Sequence, residues 1–529
     1  MIKQLLREKI KVSLINLSGK NSLPKFDFPD IKIDCPEDES NGDYSTNVAM
    51  QIAKVVERSP MEVADLIVSG IEHKNSEVFE KIWAVSPGFI NFFLSQDFLQ
   101  KQMEEITRKD FGKLSIGKGK RINIEFISAN PTGALHIGNG RGAFFGDILA
   151  NILESAGYRV EREYFVNDAR KSNQIQELGK TALGKGETYL NDDLKLKINK
   201  VKSKLKNIFN DGEAGNILCQ EIQKENKNFI ENKLKIKFNK WFSEEQELFK
   251  TKKVEKAFQW LKGRGLTYEK EGAVWLKTSE FGDEKDWVIV RSDGEPSYFL
   301  SDIVYHKEKF DRGYSKVIDI WGADHQGHVG KMKAASKILE NKTDFEILVS
   351  QLVRLKSGKM SKRTGEIIAL EELVDEVGLD VARFFYSTKA LGTQMEFDFD
   401  LAKEQSEKNP VYYIQYAYAR MCSILEKIKG AQYKSQSYKF LSHESELGLV
   451  KQLIKFPEII EETAKDYQIQ RISQYSMALA NSFHRFYCDC RVITDNKILQ
   501  EARINLILAT KDVLKKTLDL MGVSAPQKM

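Results

Sequence analysis

The sequence predicts an α/β protein built on a doubly wound parallel sheet, with a smaller α+β domain before the sheet and an all-α bundle after it. Three observations predict this. A strand–turn–helix–strand pattern occupies residues 122–166, strand-like apolar runs return at 287–291, 317–321 and 346–350, and the chain after about Phe399 reads as helix almost to its end. At 529 residues the chain exceeds the roughly 100–200 residues of one domain, so several cores are expected.

Residues 1–112 read as the first domain. It opens on a helix, passes through Gly42-Asp43-Tyr44-Ser45-Thr46-Asn47 and a second helical pattern, and closes on residues 82–93, a strand interrupted by the turn-forming pair Pro87-Gly88. Gly-Lys-Gly-Lys at 117–120 reads as a linker within the start of the sheet unit, which spans 113–370. The first strand of that unit is Ile122–Ile127, followed by the turn Asn130-Pro131-Thr132-Gly133. A helix comes next, its apolar pairs at 144/145, 148/149 and 152/153 lying on one face, and Gly157 suits its end. Val160–Val166 then returns as a parallel strand. Ligands of such sheets sit at the carboxyl ends of the strands, which directs attention to the loop after Ile127. Residues of about 181–285 read as an insertion containing the lysine-rich helical stretch Leu194–Lys206. Residues 371–405 connect to the helical bundle, 406–529.

Hydrophobic residues at 41% and charged residues at 30% describe a soluble globular chain. No apolar run reaches the about 18 residues a bilayer crossing needs, and the first nine residues lack a signal-peptide core. A cytoplasmic address with no membrane partner follows as the expectation. The five cysteines, Cys35, Cys219, Cys422, Cys488 and Cys490, are scattered, which argues against a disulfide framework. Cys488-Asp489-Cys490 is not a zinc-knuckle spacing and no second pair completes it, so no metal site and no structural zinc are expected. No repeat of about 20–50 residues is visible, which excludes a solenoid. The net charge of +5 permits a nucleic-acid partner without proving one.

Two segments carry candidate chemistry. In Pro131-Thr-Gly-Ala-Leu-His136-Ile-Gly138-Asn139-Gly140-Arg-Gly142, glycines let backbone approach a nucleotide, the helix start favours phosphate, and His136 can donate to phosphate oxygens. The plainer reading is a glycine-rich turn with a packed histidine. The spacing departs from the dinucleotide fingerprint, which disfavours a nicotinamide enzyme. In Lys356-Ser-Gly-Lys359-Met360-Ser361-Lys362-Arg363-Thr-Gly365, lysines in a glycine-bounded loop can neutralise the β- and γ-phosphates of ATP. Taken singly, such a cluster is more often a solvated basic loop.

Together, His-x-Gly beside a first strand and Lys-Met-Ser-Lys more than 200 residues later resemble the two signatures of class I aminoacyl-tRNA synthetases. That resemblance implies a Rossmann-type sheet and adenylate formation from ATP with Mg²⁺. It makes His136, Asn139, Lys359 and Lys362 the catalytic candidates, and adds Gly138, Met360 and Ser361 to the ATP contacts. Two positions depart from the pattern: Asn139 stands where a second histidine is common, and Arg363 where serine is usual. Asparagine can hydrogen-bond phosphate or ribose but cannot carry a proton charge.

A planar guanidinium substrate calls for carboxylates and matched acceptors, and Glu125, Ser128, Asn130, Tyr298 and Asp302 are all eligible; residue chemistry alone does not choose among them. Glu125-Phe-Ile-Ser128-Ala-Asn130, Tyr164-Phe-Val-Asn167-Asp168 and Ser297-Tyr298-Phe-Leu-Ser-Asp302-Ile-Val-Tyr305-His306 resemble the arginine-specific branch of the class. By that resemblance Tyr298 and Asp302 bind the guanidinium, Ser128 and Asn130 hold the α-amino and carboxylate ends, and Glu125 adds negative charge. Trp321-Gly322-Ala323-Asp324-His325-Gln326-Gly327-His328 resembles the nucleotide-side loop, with Gly322 and Asp324 near the ATP ribose; a strand-ending turn with a solvated aspartate is equally eligible.

The resemblance also implies that residues around Asn47 contact the tRNA elbow, that Asn409–Arg420 opens an anticodon-binding domain, and that tRNA must be bound before arginine is activated. Tyr412, Tyr416 and Arg420 are the candidate anticodon contacts, through stacking worth about 1–3 kcal/mol per base. Tyrosines at helical spacing more often pack a core. The expected partners are thus L-arginine, ATP and tRNA(Arg), with the protein a monomer. The lysine-rich insertion is better read as a solvated helix than as an RNA contact. The competing readings are a class I enzyme for cysteine or glutamate, and a non-catalytic tRNA-binding relative.

Overall fold

The computed structural model describes residues 1–72, 77–356, 368–428 and 437–529. At the amino end, β1 (Tyr44–Thr46), β2 (Phe79–Val85) and β3 (Phe89–Leu94) form an antiparallel sheet in the order β1-β3-β2. The Pro87-Gly88 turn folds residues 79–94 into a hairpin in which Val85 faces Phe89. The helix Pro60–Glu72 packs on this sheet, and the helix Ile2–Gly19 packs on that helix. The unit docks on the C-terminal bundle: the buried Tyr44 hydroxyl donates to Glu458 Oε2 at 3.1 Å, and Lys451 pairs with Asp43 at 2.7 Å.

The chain then lays down β4 (Arg121–Glu125), β5 (Arg159–Val166) and β6 (Lys240–Ser243), a separate antiparallel sheet of β7 (Thr267–Lys270), β8 (Ala273–Leu276) and β9 (Trp287–Val290), and finally β10 (Lys316–Gly322) and β11 (Asp344–Ser350). The central sheet is parallel throughout, in the order β11-β10-β4-β5-β6. From β4 the chain steps outward through β5 to β6, then crosses to the other side of β4 for β10. The order reverses between β4 and β10, so the crevice above their carboxyl ends is the topological switch point where ligands of such sheets bind. Ile122, Ile124, Ile318 and Ile320 bury the sheet against the helix Ile137–Ser155, whose Phe144, Ile148 and Ile152 face inward.

Two stretches differ from expectation. Lys240–Ser243, inside the region read as insertion, is the edge strand of the central sheet; at four residues it is too short to announce a period. Trp287–Val290, expected to rejoin that sheet, pairs with β8 instead. Three of its four side chains are only half-buried, unlike a strand covered on both faces.

Short β12 (Val353–Leu355) and β13 (Met395–Phe397) pair in parallel beyond the sheet. The C-terminal bundle contains the helices Pro410–Glu426, Glu444–Ile454, Phe456–Asp466, Gln470–Asp489 and Lys497–Met521. Buried Arg383 clamps the units together. One terminal nitrogen donates to Asp147 Oδ2 (2.8 Å) and to the Met521 carbonyl (3.2 Å), and the other donates to the Leu234 carbonyl (2.8 Å). Asn151, on the same helix as Asp147, donates to the Leu520 carbonyl at 3.0 Å.

Candidate active site

At the end of β4 the backbone turns through Ile127 and Ser128 at φ +68° and +38°. A β-branched residue in the left-handed region costs of order 1–3 kcal/mol, a strain typical of ligand-binding loops. His136 caps the helix Ile137–Ser155: its Nδ1 accepts from the Gly138 N–H at 3.1 Å, while its own N–H donates to Asn139 Oδ1 at 2.9 Å. A Cβ at Gly138 would meet the imidazole at 2.8 Å, so glycine is what lets the ring lie over the helix start. Burial holds the His136 pKa below its ordinary value, against the pull of Asp324. The ring is therefore neutral, with Nδ1 an acceptor and the Nε2–H the donor left for a ligand. Asn139, the departure from a second histidine, spends its carbonyl oxygen on the cap.

Asp324 follows β10, the strand beside β4, in the helical turn Ala323–His328. A Cβ at Gly322 would lie 2.4 Å from Asp324 Oδ1, so the missing side chain is what allows the carboxylate to fold back over the strand end. His328 is pushed down to about 4 by burial and by Lys331 and His325, and so is neutral. Lys359, Met360, Ser361 and Lys362 lie outside the described residues. Their flanks do not. Ile137 N–H donates to the Ile368 carbonyl (3.1 Å) and Leu370 N–H to the Leu135 carbonyl (2.8 Å), so the chain returns from the lysine segment directly onto the His136 loop.

Tyr298 and Asp302 sit one turn apart on the helix Tyr298–Asp311 and share a face. Among the described residues no cation or donor pairs with the Asp302 carboxylate. Burial pushes its pKa up to about 6, while His306, Lys331 and His325 pull it down and Glu125 pushes it up. Glu244, just beyond β6, is buried and pushed up to about 8 by desolvation and then by repulsion from Asp302. It also weighs on the Tyr298 phenol, whose oxygen accepts from the Gln174 N–H at 3.5 Å. Sequence reading missed Glu244. Lys331 is buried over the rings of Trp287 (4.5 Å) and Phe299 (4.9 Å), and burial lowers its pKa although Asp302 draws it up. The result is a recessed pocket in which Asp302 repels charge from Glu244, so that Glu244 holds its proton at neutral pH until a cation arrives beside them and the phenol.

Glu125 adds negative charge beside Asp302, whose pKa it raises, but that charge is paired. One of its oxygens takes the ammonium of buried Lys309, which also donates to Asp319 Oδ1 at 2.7 Å. Its charge is offset by a neighbour 184 residues away. Ser128 Oγ accepts from the Phe165 N–H at 3.0 Å, tying the ends of β4 and β5 together, while Asn130 is exposed. Asn47 lies in the amino-terminal unit, where it accepts from Gln51. On the first helix of the bundle Tyr416 is exposed, Tyr412 half-buried and Tyr418 buried. Arg420 donates to the Tyr416 hydroxyl and lies over the rings of Tyr416 (5.4 Å) and Tyr487 (5.3 Å), giving an exposed aromatic and cationic surface.

Three family models match successive parts of the chain. The arginyl tRNA synthetase N terminal domain matches residues 4–94, the class I (R) tRNA synthetase catalytic domain residues 102–388, and the DALR anticodon binding domain residues 414–529. The chain belongs to the arginyl-tRNA synthetase family. This synthetase is 40% identical to an arginine–tRNA ligase of Desulforamulus reducens, over all of this chain and 99% of that one. It is 39% identical to that of Acetivibrio thermocellus, with the same coverage. Its fold matches the Thermus thermophilus arginyl-tRNA synthetase at TM-score 0.79 and 20% identity, each chain covered completely. The Plasmodium falciparum enzyme matches at 0.79 and 18%, over 100% of this chain and 99% of that one. The protein is thus an enzyme of class I, an arginine–tRNA ligase.

Proposed function

We propose that this arginine–tRNA ligase forms its adenylate in the crevice above β4 and β10, with Asp302, Glu244 and Tyr298 holding the guanidinium and His136 facing the nucleotide phosphates. The enzyme joins L-arginine to tRNA(Arg) at the expense of ATP, through arginyl-adenylate. The observation that carries the division of labour is the recessed Asp302, whose carboxylate meets no cation or donor among the described residues and which is repelled by Glu244, together with a neutral His136 whose Nδ1 is committed to the helix cap and whose Nε2–H is not.

Arginine enters with its side chain toward Asp302, and its carboxylate oxygen attacks the α-phosphorus of ATP, breaking the bond to pyrophosphate. The Nε2–H of His136 donates to phosphate oxygens as charge builds, and Lys359 and Lys362 neutralise the departing pyrophosphate. A ribose hydroxyl at the tRNA end then attacks the adenylate carbonyl and expels AMP. Positioning and preorganised charge supply the rate, so no general base is assigned. Ser128 and Asn130 are assigned to the α-amino and carboxylate ends, Glu125 to the negative charge of the pocket, and Gly322 and Asp324 to the ribose. Mg²⁺ travels with ATP and adds charge neutralisation on its phosphates. Among the described residues no group of three His, Cys, Asp or Glu gathers to hold an ion of its own. Asn47, Tyr412, Tyr416 and Arg420 are assigned to tRNA.

Pyrophosphate exchange, run over all amino acids with and without tRNA, tests the whole assignment. Exchange with arginine alone, dependent on tRNA, supports it; exchange driven by another amino acid overturns it. In the same assay Lys359→Ala should slow adenylate formation and leave arginine affinity intact.

A further inference from the structure

We infer that His306 is a buried imidazolium that positions Asp302 and keeps it ionised, so that the synthetase accepts charged arginine and refuses its neutral ureido isostere, citrulline. The inference rests on the reading of Asp302 as the guanidinium's partner. His306 is 2% exposed, and both ring nitrogens meet oxygens: Nδ1 lies 2.7 Å from the Asp302 carbonyl and Nε2 lies 2.6 Å from Asp319 Oδ2. A carbonyl and a carboxylate only accept, whereas a neutral imidazole carries one donor and one acceptor. Only the doubly protonated ring satisfies both contacts. Placing the proton on Asp319 instead fails, because the other oxygen of Asp319 holds the Lys309 ammonium at 2.7 Å, and neutralising it would strip that buried cation of one of its two anions.

The surroundings agree. Asp319 projects from β10, Lys309 from the same helix as His306, and the rings of Trp321 and Phe345 close the remaining sides at centroid distances of 6.4 and 5.2 Å. Asp302 is faced by His306 on its own helix, Lys331 on the helix Val329–Ile338, His325 on the turn after β10, Glu125 at the end of β4 and Glu244 beyond β6. His306 heads the pull that offsets burial there. A fixed cation one turn below the carboxylate, bonded to the Asp302 backbone carbonyl, lowers the cost of carrying charge there.

His306→Gln keeps a donor but loses the charge. Its profile of kcat/KM for arginine should turn down at a pH higher by about one unit than in the unaltered enzyme, with the value near pH 6.5 falling about threefold and the KM for ATP steady within about twofold. The preference for arginine over citrulline should fall by a similar factor. A packing role alone would move neither the turning point nor that preference, and an unmoved turning point overturns the inference. Asp302→Asn separates the two readings: if it leaves arginine KM unchanged, the guanidinium assignment itself fails. Should His306→Gln not fold, the unaltered enzyme decides, labelled with [15N]histidine. Among its seven histidines one ring should keep both nitrogens protonated near pH 8. Seven rings each with a bare nitrogen would end the proposal.

Discussion

Asp302→Asn exchanges an oxygen for a nitrogen at nearly constant volume and removes the charge against which the guanidinium is read. In the free enzyme Asp302 titrates at about 6, well above an ordinary aspartate near 3.9. At 1.36 kcal/mol per unit, carrying that charge without a partner costs about 3 kcal/mol. The sign follows from the direction. Because the folded value is raised, the penalty is present in full above about 6 and is relieved as pH falls through that value and the carboxyl takes up a proton. A guanidinium beside it reverses the balance, so arginine binding is strongest above about 6 and fades below. Truncating one member of a buried charge pair costs about 2–5 kcal/mol, which sets a rise in arginine KM of about 30- to 4,000-fold near pH 7.5. The assay is tRNA charging from about pH 5 to 8.5 at saturating ATP. For the unaltered enzyme kcat/KM for arginine should fall about tenfold per unit below the titration of Asp302, and for Asp302→Asn it should lose that dependence. An unchanged arginine KM, or the same acid limb in both enzymes, refutes the reasoning.

Other substitutions probe separate parts of the site. His136→Ala removes one preorganised donor and should slow pyrophosphate exchange by about 10²–10³-fold with arginine KM nearly constant; a large change in KM instead would assign the ring to amino-acid binding. Glu244, at about 8, is mostly protonated at neutral pH, and an arriving guanidinium should drive the proton off. Arginine binding near pH 7.5 should therefore release a proton, seen by calorimetry as a heat that depends on the buffer, and Glu244→Gln should abolish that dependence and raise KM about tenfold. Arg383→Met breaks a buried pair and leaves Asp147 only its longer contact with Arg162 at 3.7 Å, so the urea midpoint should drop by an amount equivalent to about 3 kcal/mol; an unmoved midpoint would mean the clamp contributes nothing.

The parallel sheet and its first βαβ unit were legible because an apolar strand, a glycine turn and a three-to-four helical period stand side by side between residues 121 and 166. The His136 loop was legible as a helix start for the same reason, since its cap is made by residues within three positions of one another. Glu244 was not. It stands beside Glu245, both are buried, and only the folded chain tells them apart, Glu245 accepting from the Arg170 N–H at 3.0 Å while Glu244 turns toward Asp302. The pairing of Glu125 was not legible either, since the lysine that offsets it lies on a helix far along the chain. Charge balance in a pocket is a long-range property, and single residues carry no trace of it.

The helix Ile137–Ser155 works as a lever. His136 stands at its tip, and Asn151, about 21 Å along the axis at 1.5 Å per residue, is moored to Leu520 in the last helix of the bundle, with the Arg383 clamp between them. A tilt of about 5° at that mooring would swing the imidazole through about 2 Å, where a displacement of about 1 Å already costs some hundredfold in rate. With His136 assigned to the phosphates as proposed, geometry ties the pose of the anticodon-binding domain to the aim of a single N–H.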